Sequence, residues 1–495
     1  MSRGKVLIVD LNNYARYPTL AIGYLVAPLR RAGFEVELLS PLAHGQRGVM
    51  REHQESAIDH LKRRVYMAPP APLWHHQDWL YDQYAAWRLR LTKAERALLE
   101  TRIERSEAQV ILLSAYLTHR TRVQFIADLA ARRRVPVLLG GPVFNVPGIA
   151  EDWAQIPGIS SVFGGEGDFV IVDLVDALMH GRPVHDRPGV SVNGAAATTH
   201  FTKAAEPLAQ LDALPVPDFS DFPWARYPHR IVPLMATRGC AWGNCTFCSD
   251  VITASGRGFR SRPVEHVLHE VEEQSKRCAA RDFIFLDIKL NSDVALWRGI
   301  IGRIQQHVPG ARWIGTVHVD TTGDNGLDRD TLMRAHASGM ARLSFGLESG
   351  SQQVLRRMAK GCKVERNETF LRDASSAGIS VRATMIVGYP GEAATDVDLS
   401  TRFLERNIEH LDRINLCRFK PMPGTRFEEL YKRRPERFDD IRILKWNRNS
   451  LRANYEPGQM RDYRYRRAVV GLLNAVYAIN RRPLRNNLTQ FDGLM

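Results

Sequence analysis

Short β-branched and aliphatic runs alternate with stretches of helical period along most of this chain, and such alternation restricts it to folds in which crossover helices join parallel strands. Lys5–Val9, 36–39, Val110–Ser114, 135–139 and 160–163 read as strands, with helical periodicity over 19–32, 121–133 and 169–180. The 135–139 strand runs into Gly140-Gly141-Pro142, and the 160–163 strand into Gly164-Gly165-Glu166-Gly167. In a doubly wound sheet, glycine turns at strand carboxyl ends stand where a ligand binds. The segment 46–107, rich in Arg, His and Trp, reads as an inserted pair of helices.

A proline-rich stretch over 208–228 marks a boundary. Beyond it the alternation resumes with six strand candidates, 231–236, 282–286, Arg312–Val317, 342–345, 381–387 and 413–419, each followed by a helical pattern or turn. Six βα units in sequence predict a partial or complete parallel barrel with its chemistry at the C-terminal strand ends. The expected organisation is therefore an α/β chain: a Rossmann-like domain over 1–200, a linker over 201–229, a (β/α)6 barrel over 230–428 and a helical, basic C-terminal region over 429–495. A length of 495 residues agrees with more than one core.

Cys240-Ala-Trp-Gly-Asn-Cys245-Thr-Phe-Cys248 follows the first barrel strand with spacing C-x4-C-x2-C. Three thiolates within nine residues suit soft-metal ligation rather than a disulfide framework, and the segment offers no nearby histidine as a fourth zinc ligand. Three thiolates can hold three irons of a four-iron cluster and leave the fourth open to a small molecule; a structural zinc is the alternative. Cys278, Cys362 and Cys417 stand alone and read as structural.

At these residues the chain resembles the radical SAM enzymes, in the branch with an N-terminal cobalamin-binding-like domain, over 1 to about 430. Phe247 matches the aromatic residue that precedes the last cysteine in that family. The family spacing is C-x3-C-x2-C, so the first loop here is one residue longer, which bears on loop detail and on Trp242. Phe285-Leu-Asp287, Phe345-Gly-Leu-Glu348-Ser349-Gly350, Met385-Ile-Val-Gly388-Tyr-Pro-Gly-Glu392 and Lys420-Pro-Met-Pro-Gly-Thr425 are similar to the family's strand-end motifs and stand in the same order.

The resemblance implies that Cys240, Cys245 and Cys248 hold a 4Fe-4S cluster, and that S-adenosylmethionine (SAM) is bound near Phe247, Asp287, Glu348, Ser349, Arg382 and Gly388, with Glu348 on its ribose and Arg382 on its carboxylate. It further implies cobalamin at Gly140, Gly141, Gly165 and Glu166. The D-x-H-x-x-G signature of an axial histidine is missing after the first strand, which reads Asp10-Leu-Asn-Asn-Tyr-Ala-Arg. The corrin would then be bound base-off, and nothing in the spacing of His44, His75 or His76 makes them ligands. No catalytic acid or base is assigned.

The implied activity is reductive cleavage of SAM, foremost in a cobalamin-dependent C-methyltransferase acting on an unactivated carbon in natural-product or cofactor biosynthesis. A radical enzyme without functional cobalamin that performs cyclisation, rearrangement or another group transfer stands beside it, as does an RNA- or peptide-modifying enzyme. Expected partners are a small-molecule or peptide substrate and a reductant such as flavodoxin or ferredoxin; membrane and nucleic acid are not expected, and the location is expected to be cytoplasmic.

The formal charge is +14, and between Lys432 and Arg485 stand 15 Lys and Arg against 5 Asp and Glu, so +10 lies there. Such a segment serves as a cap that recognises an acidic substrate or as a solvated face. Tyr455, Tyr463 and Tyr465 lie in it and read first as packing residues.

Overall fold

The computed structural model describes residues 3–50, 53–69, 77–146, 148–193, 205–250, 258–321, 323–448 and 450–494; His75 and His76 lie outside them. The first sheet contains β1 (Lys5–Val9), β2 (Glu35–Leu39), β3 (Val110–Ser114), β4 (Val137–Gly140), β5 (Ser161–Phe163) and β6 (Val190–Ser191) in the order β2-β1-β3-β4-β5-β6. Only β6 runs antiparallel to its neighbour.

Period-two alternation sends Val6 and Ile8 to one face and Leu7 and Val9 to the other. Each face joins its own helices in a separate hydrophobic cluster. The order reverses between β1 and β3, which opens a crevice at their carboxyl ends.

The insertion holds three described helices, Ala57–Met67, Gln77–Leu89 and Lys93–Arg105, where a pair was expected. Ser56 and Asp59 form a capping box at the first, and the Thr92 hydroxyl accepts the Glu95 N–H at the last. Lys93–Arg105 buries only Leu99 and Ile103 beneath the sheet, so its apolar stripe is narrow.

After β7 (Ile231–Leu234), a short antiparallel pair, β8 (Thr237–Arg238) and β9 (Arg260–Ser261), brackets the cysteine segment. The second sheet continues with β10 (Asp282–Phe285), β11 (Arg312–Val317), β12 (Met340–Glu348), β13 (Ser380–Val387) and β14 (Arg413–Arg418), six parallel strands in the order β14-β13-β12-β11-β10-β7. Phe283, Phe285, Trp313, Leu343, Phe345 and Val381 face the surrounding helices. The inner face is most apolar near the strand starts. There Ile231, Ile284, Ile314 and Ala341 meet Leu488, Phe491 and Leu494 of the C-terminal segment and Tyr17 of the N-terminal domain.

The region 429–495 was expected to be helical, yet it contains the hairpin β15 (Ile441–Asn447) and β16 (Arg452–Pro457). Its helix Tyr463–Asn480 buries Leu472, Leu473, Val476 and Ile479, and Asn480 bridges β14 and Glu55 of the insertion. This helix is part of the barrel's outer layer, which corrects the reading of the whole region as a cap. No helix among the described residues is long and apolar enough to cross a membrane.

Candidate functional site

Cys240, Cys245 and Cys248 are half-buried cysteines outside any disulfide, in the loop after β8. Gly239 (φ +82°) and Gly243 (φ +55°) take left-handed conformations there, and a Cβ on Gly239 would strike the Gly258 carbonyl. The loop is fastened from three sides. The Trp242 indole N–H donates to the Ala359 carbonyl at 2.9 Å, the Thr246 N–H to the Met358 carbonyl at 3.0 Å, and the Thr246 hydroxyl meets the Tyr389 hydroxyl at 2.7 Å.

Burial pushes the Cys245 thiol up to about 11, against the pull of the Lys360 ammonium. Among the described residues no three His, Cys, Asp or Glu side chains gather as around a single ion. Three cysteines on one fastened loop, none in a disulfide, fit a cluster, in which each thiolate takes its own iron.

At the strand ends around this loop, Phe247 packs beside Tyr389 and Phe427, and the Lys360 ammonium lies 5.9 Å from its ring centre. Glu348 ends β12 with φ +60° and pairs with Lys360 at 3.1 Å. Arg382 lies half-buried on the inner wall, in register with Ser344 and Arg413.

Three expected ligand residues are engaged within the chain instead. Asp287 accepts the N–H groups of Ala236 and Thr237 and the Thr237 hydroxyl, so it pins the root of the cysteine loop; burial lifts it to about 6. Ser349 is fully buried between the Ser400 hydroxyl and the Ser351 N–H. Gly388 (φ +85°) donates its N–H to Glu392 at 2.6 Å, and its carbonyl accepts from Gln459 at 3.0 Å. Glu392 also accepts the Tyr465 hydroxyl at 2.6 Å, and burial raises its carboxyl to about 7.

The second concavity is a cavity of about 370 Å³ at the carboxyl ends of β1, β3, β4 and β5, closed on its far side by Met235, Thr237, Arg238, Leu286 and Ile288 of the barrel. Ser114, Gly140, Gly141 and Gly165 line it. Gly141 (φ +135°) lies so close to the Ala115 backbone that a Cβ would clash. Asp10 shapes the β1 turn by accepting from Asn12, Asn13 and the Thr19 hydroxyl.

No histidine is among the described lining residues, and His44 sits near Arg102 in the insertion, its ring pushed down by burial. Glu166 does border the cavity, but its carboxylate is held by Arg260 at 2.8 and 2.9 Å, while Asp168 holds Arg238 at 2.8 and 2.9 Å. These acids latch the glycine-rich turn to β8 and β9, the two short strands on either side of the cysteine segment.

The upper inner wall of the barrel carries Thr316, Ser344, Thr384, Asn415 and Cys417, with Asn415 and Cys417 exposed to the interior space. Cys278 and Cys362 are buried. The Tyr455 hydroxyl donates to the Phe419 carbonyl and Tyr463 is exposed, so none of the three tyrosines is placed to reach the cysteine loop. Lys360 and His318 were missed from sequence. Lys360 follows a short helix with Gly361 as its only local signal, and burial keeps the His318 ring neutral, 6.4 Å from Trp242.

Residues 234–404 match the family model described as the Radical SAM superfamily. An uncharacterized methyltransferase of Pyrococcus horikoshii is 28% identical over 300 residues, 59% of this chain and 62% of that protein. The bacteriochlorophyllide d C-12(1)-methyltransferase of Chlorobaculum tepidum is 25% identical over 48% of this chain and 51% of its own length, so the match spans about half to three-fifths of these relatives. The radical SAM methyltransferase TsrM from Kitasatospora setae, solved with cobalamin and a [4Fe-4S] cluster, shares the fold with TM-score 0.67 at 16% identity, over 96% of this chain and 91% of that one. OxsB, a cobalamin-dependent S-adenosylmethionine radical enzyme, gives 0.66 at 17% identity, over 91% and 64%. Residues 234–404, which span most of the barrel, thus match a radical SAM domain, and the two-sheet fold of the chain is that of those two structures.

Proposed function

With residues 234–404 a radical SAM domain, we propose that the chain is a cobalamin-dependent methyltransferase acting on an unactivated carbon of a small molecule. The observation that carries this reading is the cavity between the glycine-rich strand ends and the root of the cysteine loop. A radical enzyme that used only its barrel would have no need of a second ligand site opening there. The volume suits a group of nucleotide size, within the ~300 to 1,000 Å³ of ordinary ligand sites. Glycines 140, 141 and 165 leave backbone open to close approach by a corrin or its nucleotide tail.

When bound, the cluster supplies an electron to SAM, SAM yields the hydrogen-abstracting group, and cobalamin carries the methyl group. The chain's own contribution is placement. Cys240, Cys245 and Cys248 would hold three irons, Glu348 would take the SAM ribose, and the Arg382 guanidinium would match its carboxylate. Asp287 fixes the loop's root, and Glu392 fixes the Gly388 turn. The substrate sits against Thr384, Asn415 and Cys417, above the apolar plug of Leu488, Phe491 and Leu494 that keeps water from entering through the strand starts. A one-electron protein donor such as flavodoxin or ferredoxin supplies reducing equivalents.

The test is to incubate the anaerobically reconstituted protein with hydroxocobalamin, desalt it and record the visible spectrum. Retention near one equivalent with a base-off spectrum is expected, together with methyl transfer from isotopically labelled SAM. A protein that keeps its cluster and retains no corrin is a radical enzyme of another outcome.

A further inference from the structure

We propose that Arg238 and Arg260, held by Asp168 and Glu166, are positioning residues that tie the cysteine segment to the corrin cavity, so that a bound cluster tightens the corrin site. The inference rests on the cluster and cobalamin readings above and concerns four residues outside the cysteine motif.

In the β8–β9 ribbon Arg238 stands directly opposite Arg260, and Thr237 opposite Ser261. Alternation sends the two pairs to opposite faces. Thr237 and Ser261 turn toward the barrel, where Asp287 accepts the Thr237 hydroxyl at 2.6 Å and Asp293 accepts the Ser261 hydroxyl at 2.8 Å. Arg238 and Arg260 turn toward the N-terminal domain. Each guanidinium there meets a carboxylate through two nitrogens, Arg238 with Asp168 at 2.8 and 2.9 Å and Arg260 with Glu166 at 2.8 and 2.9 Å. Glu166 also lies 3.3 Å from Arg238, so the four charges form one network, and none of the four side chains is more than 13% exposed. Like charges directly opposite on a ribbon repel, and a ribbon of two residue pairs has little pairing of its own to oppose them. The register of β8 and β9 therefore depends on the acids of the glycine-rich turn.

The ribbon brackets the cysteines. Gly239 joins β8 to Cys240, and the Gly258 carbonyl, just before β9, closes on it from the other end of the loop. The same elements are walls of the corrin cavity: Gly165 and Asp168 line it from the N-terminal domain, Arg238 and Gly239 from the barrel. The Tyr24 ring, another part of the wall, lies 5.7 Å from the Arg238 guanidinium. A ligand seated there touches the turn and β8 together, so their separation must be fixed for it to bind. A cluster on Cys240, Cys245 and Cys248 orders the loop and both ends of the ribbon. The four-charge network carries that order to the turn, and linkage makes the gain reciprocal.

The experiment is equilibrium dialysis of hydroxocobalamin against the full chain, cluster-free and anaerobically reconstituted, in wild type and in the double variant Arg260→Met/Glu166→Gln. That variant removes both charges of one pair and keeps an acceptor for the Leu208 N–H, so no buried ion is stranded. The wild-type dissociation constant should fall at least ~5-fold on cluster loading, the lower end of ordinary coupling between two sites. In the variant that ratio should be close to one. A merely structural role would weaken corrin binding by the same factor with and without the cluster and leave the ratio unchanged, and that result overturns the proposal. So does a wild-type protein that binds the corrin equally in both forms. Where the variant takes up no cluster, hydrogen exchange of the wild type decides. Cluster loading should slow exchange in the latched turn 164–168 and leave the unlatched turn 140–142 as it was; equal change in both, or none, overturns the idea. A wild-type protein that binds no corrin in either form, or takes up no cluster, overturns the underlying reading and this inference with it.

Discussion

In the N-terminal sheet both faces are aliphatic, with Val6 and Ile8 on one and Leu7 and Val9 on the other, whereas in the barrel only the outer face is continuously so. The upper inner face of the barrel carries Ser344, Arg382, Thr384, Asn415 and Cys417. Two sheets of six strands thus confine chemistry differently. The first can place ligands only beyond its strand ends, where Gly140, Gly141 and Gly165 lie. The second has room for reacting groups between its walls, and its buried charges, Lys360, Glu348 and Asp287, crowd around that space. Stability and chemistry are nearly separable in the first sheet and share residues in the second.

The largest expected break between the two regions comes from replacing Cys240, Cys245 and Cys248 together by Ala. Iron content and 5′-deoxyadenosine formation should fall to background, while corrin retention by the N-terminal domain persists. Reductive SAM cleavage that survives the triple change would remove the loop from the chemistry. At the next level, Ile8→Ala removes a fully buried side chain from the first sheet and should cost ~2 to 5 kcal/mol. Asn415→Ala on the open barrel wall should stay within ~0.5 kcal/mol while impairing turnover. Equal losses for the two in urea unfolding would erase the distinction.

The smallest effect separates the sheets by pH. Burial raises Glu392 to about 7 and Asp10 to about 6, above the values near 4 of unfolded carboxyls. Both groups therefore bind more protons folded than unfolded. Their contribution is fully present below about pH 4 and is lost as pH rises through 6 for Asp10 and through 7 for Glu392. The loss is on the order of 3 kcal/mol each. Glu392→Gln should flatten the stability profile up to about pH 7 and Asp10→Asn only up to about pH 6, which thermal unfolding across pH 4 to 8 can resolve. Identical windows would mean that the hydrogen bonds from Thr19, Asn12 and Asn13 to Asp10, and the carboxylates of Asp396 and Asp440 near Glu392, do not set the two sites apart.

Much of this was legible in the chain. Lys5–Val9 and Arg312–Val317 were read with their observed limits because each is dominated by aliphatic, β-branched or aromatic residues between polar flanks, which leaves little choice of period. The cysteine loop and the order of the strand-end motifs were also visible. What escaped did so for physical reasons. Lys93–Arg105 anchors itself through two residues, too few to raise a periodic signal above its charges. The hairpin of β15 and β16 alternates arginine and lysine with its apolar residues and resembles the solvated basic helix that was expected. Asp287, Ser349 and Glu166 occupy motif positions, yet the partners that engage them, Thr237, Ser400 and Arg260, lie 50, 51 and 94 residues away in sequence. Lys360 is silent for the same reason: its setting is created by Trp242 and Thr246, more than a hundred residues earlier.

The apolar plug has a consequence for how the molecule is made. Ile231 enters the barrel early, but Leu488, Phe491 and Leu494, which fill the space beside it, are synthesised about 260 residues later. At ~5 to 20 residues per second, that interval leaves the inner layer of the half-built sheet without its lining for tens of seconds on the ribosome. The N-terminal sheet closes over local crossovers and can be finished in that time. The barrel cannot, so the nascent chain carries a completed first domain beside an unsealed second one, and the cysteine loop is still without its finished support when its thiols first meet the cell's iron supply.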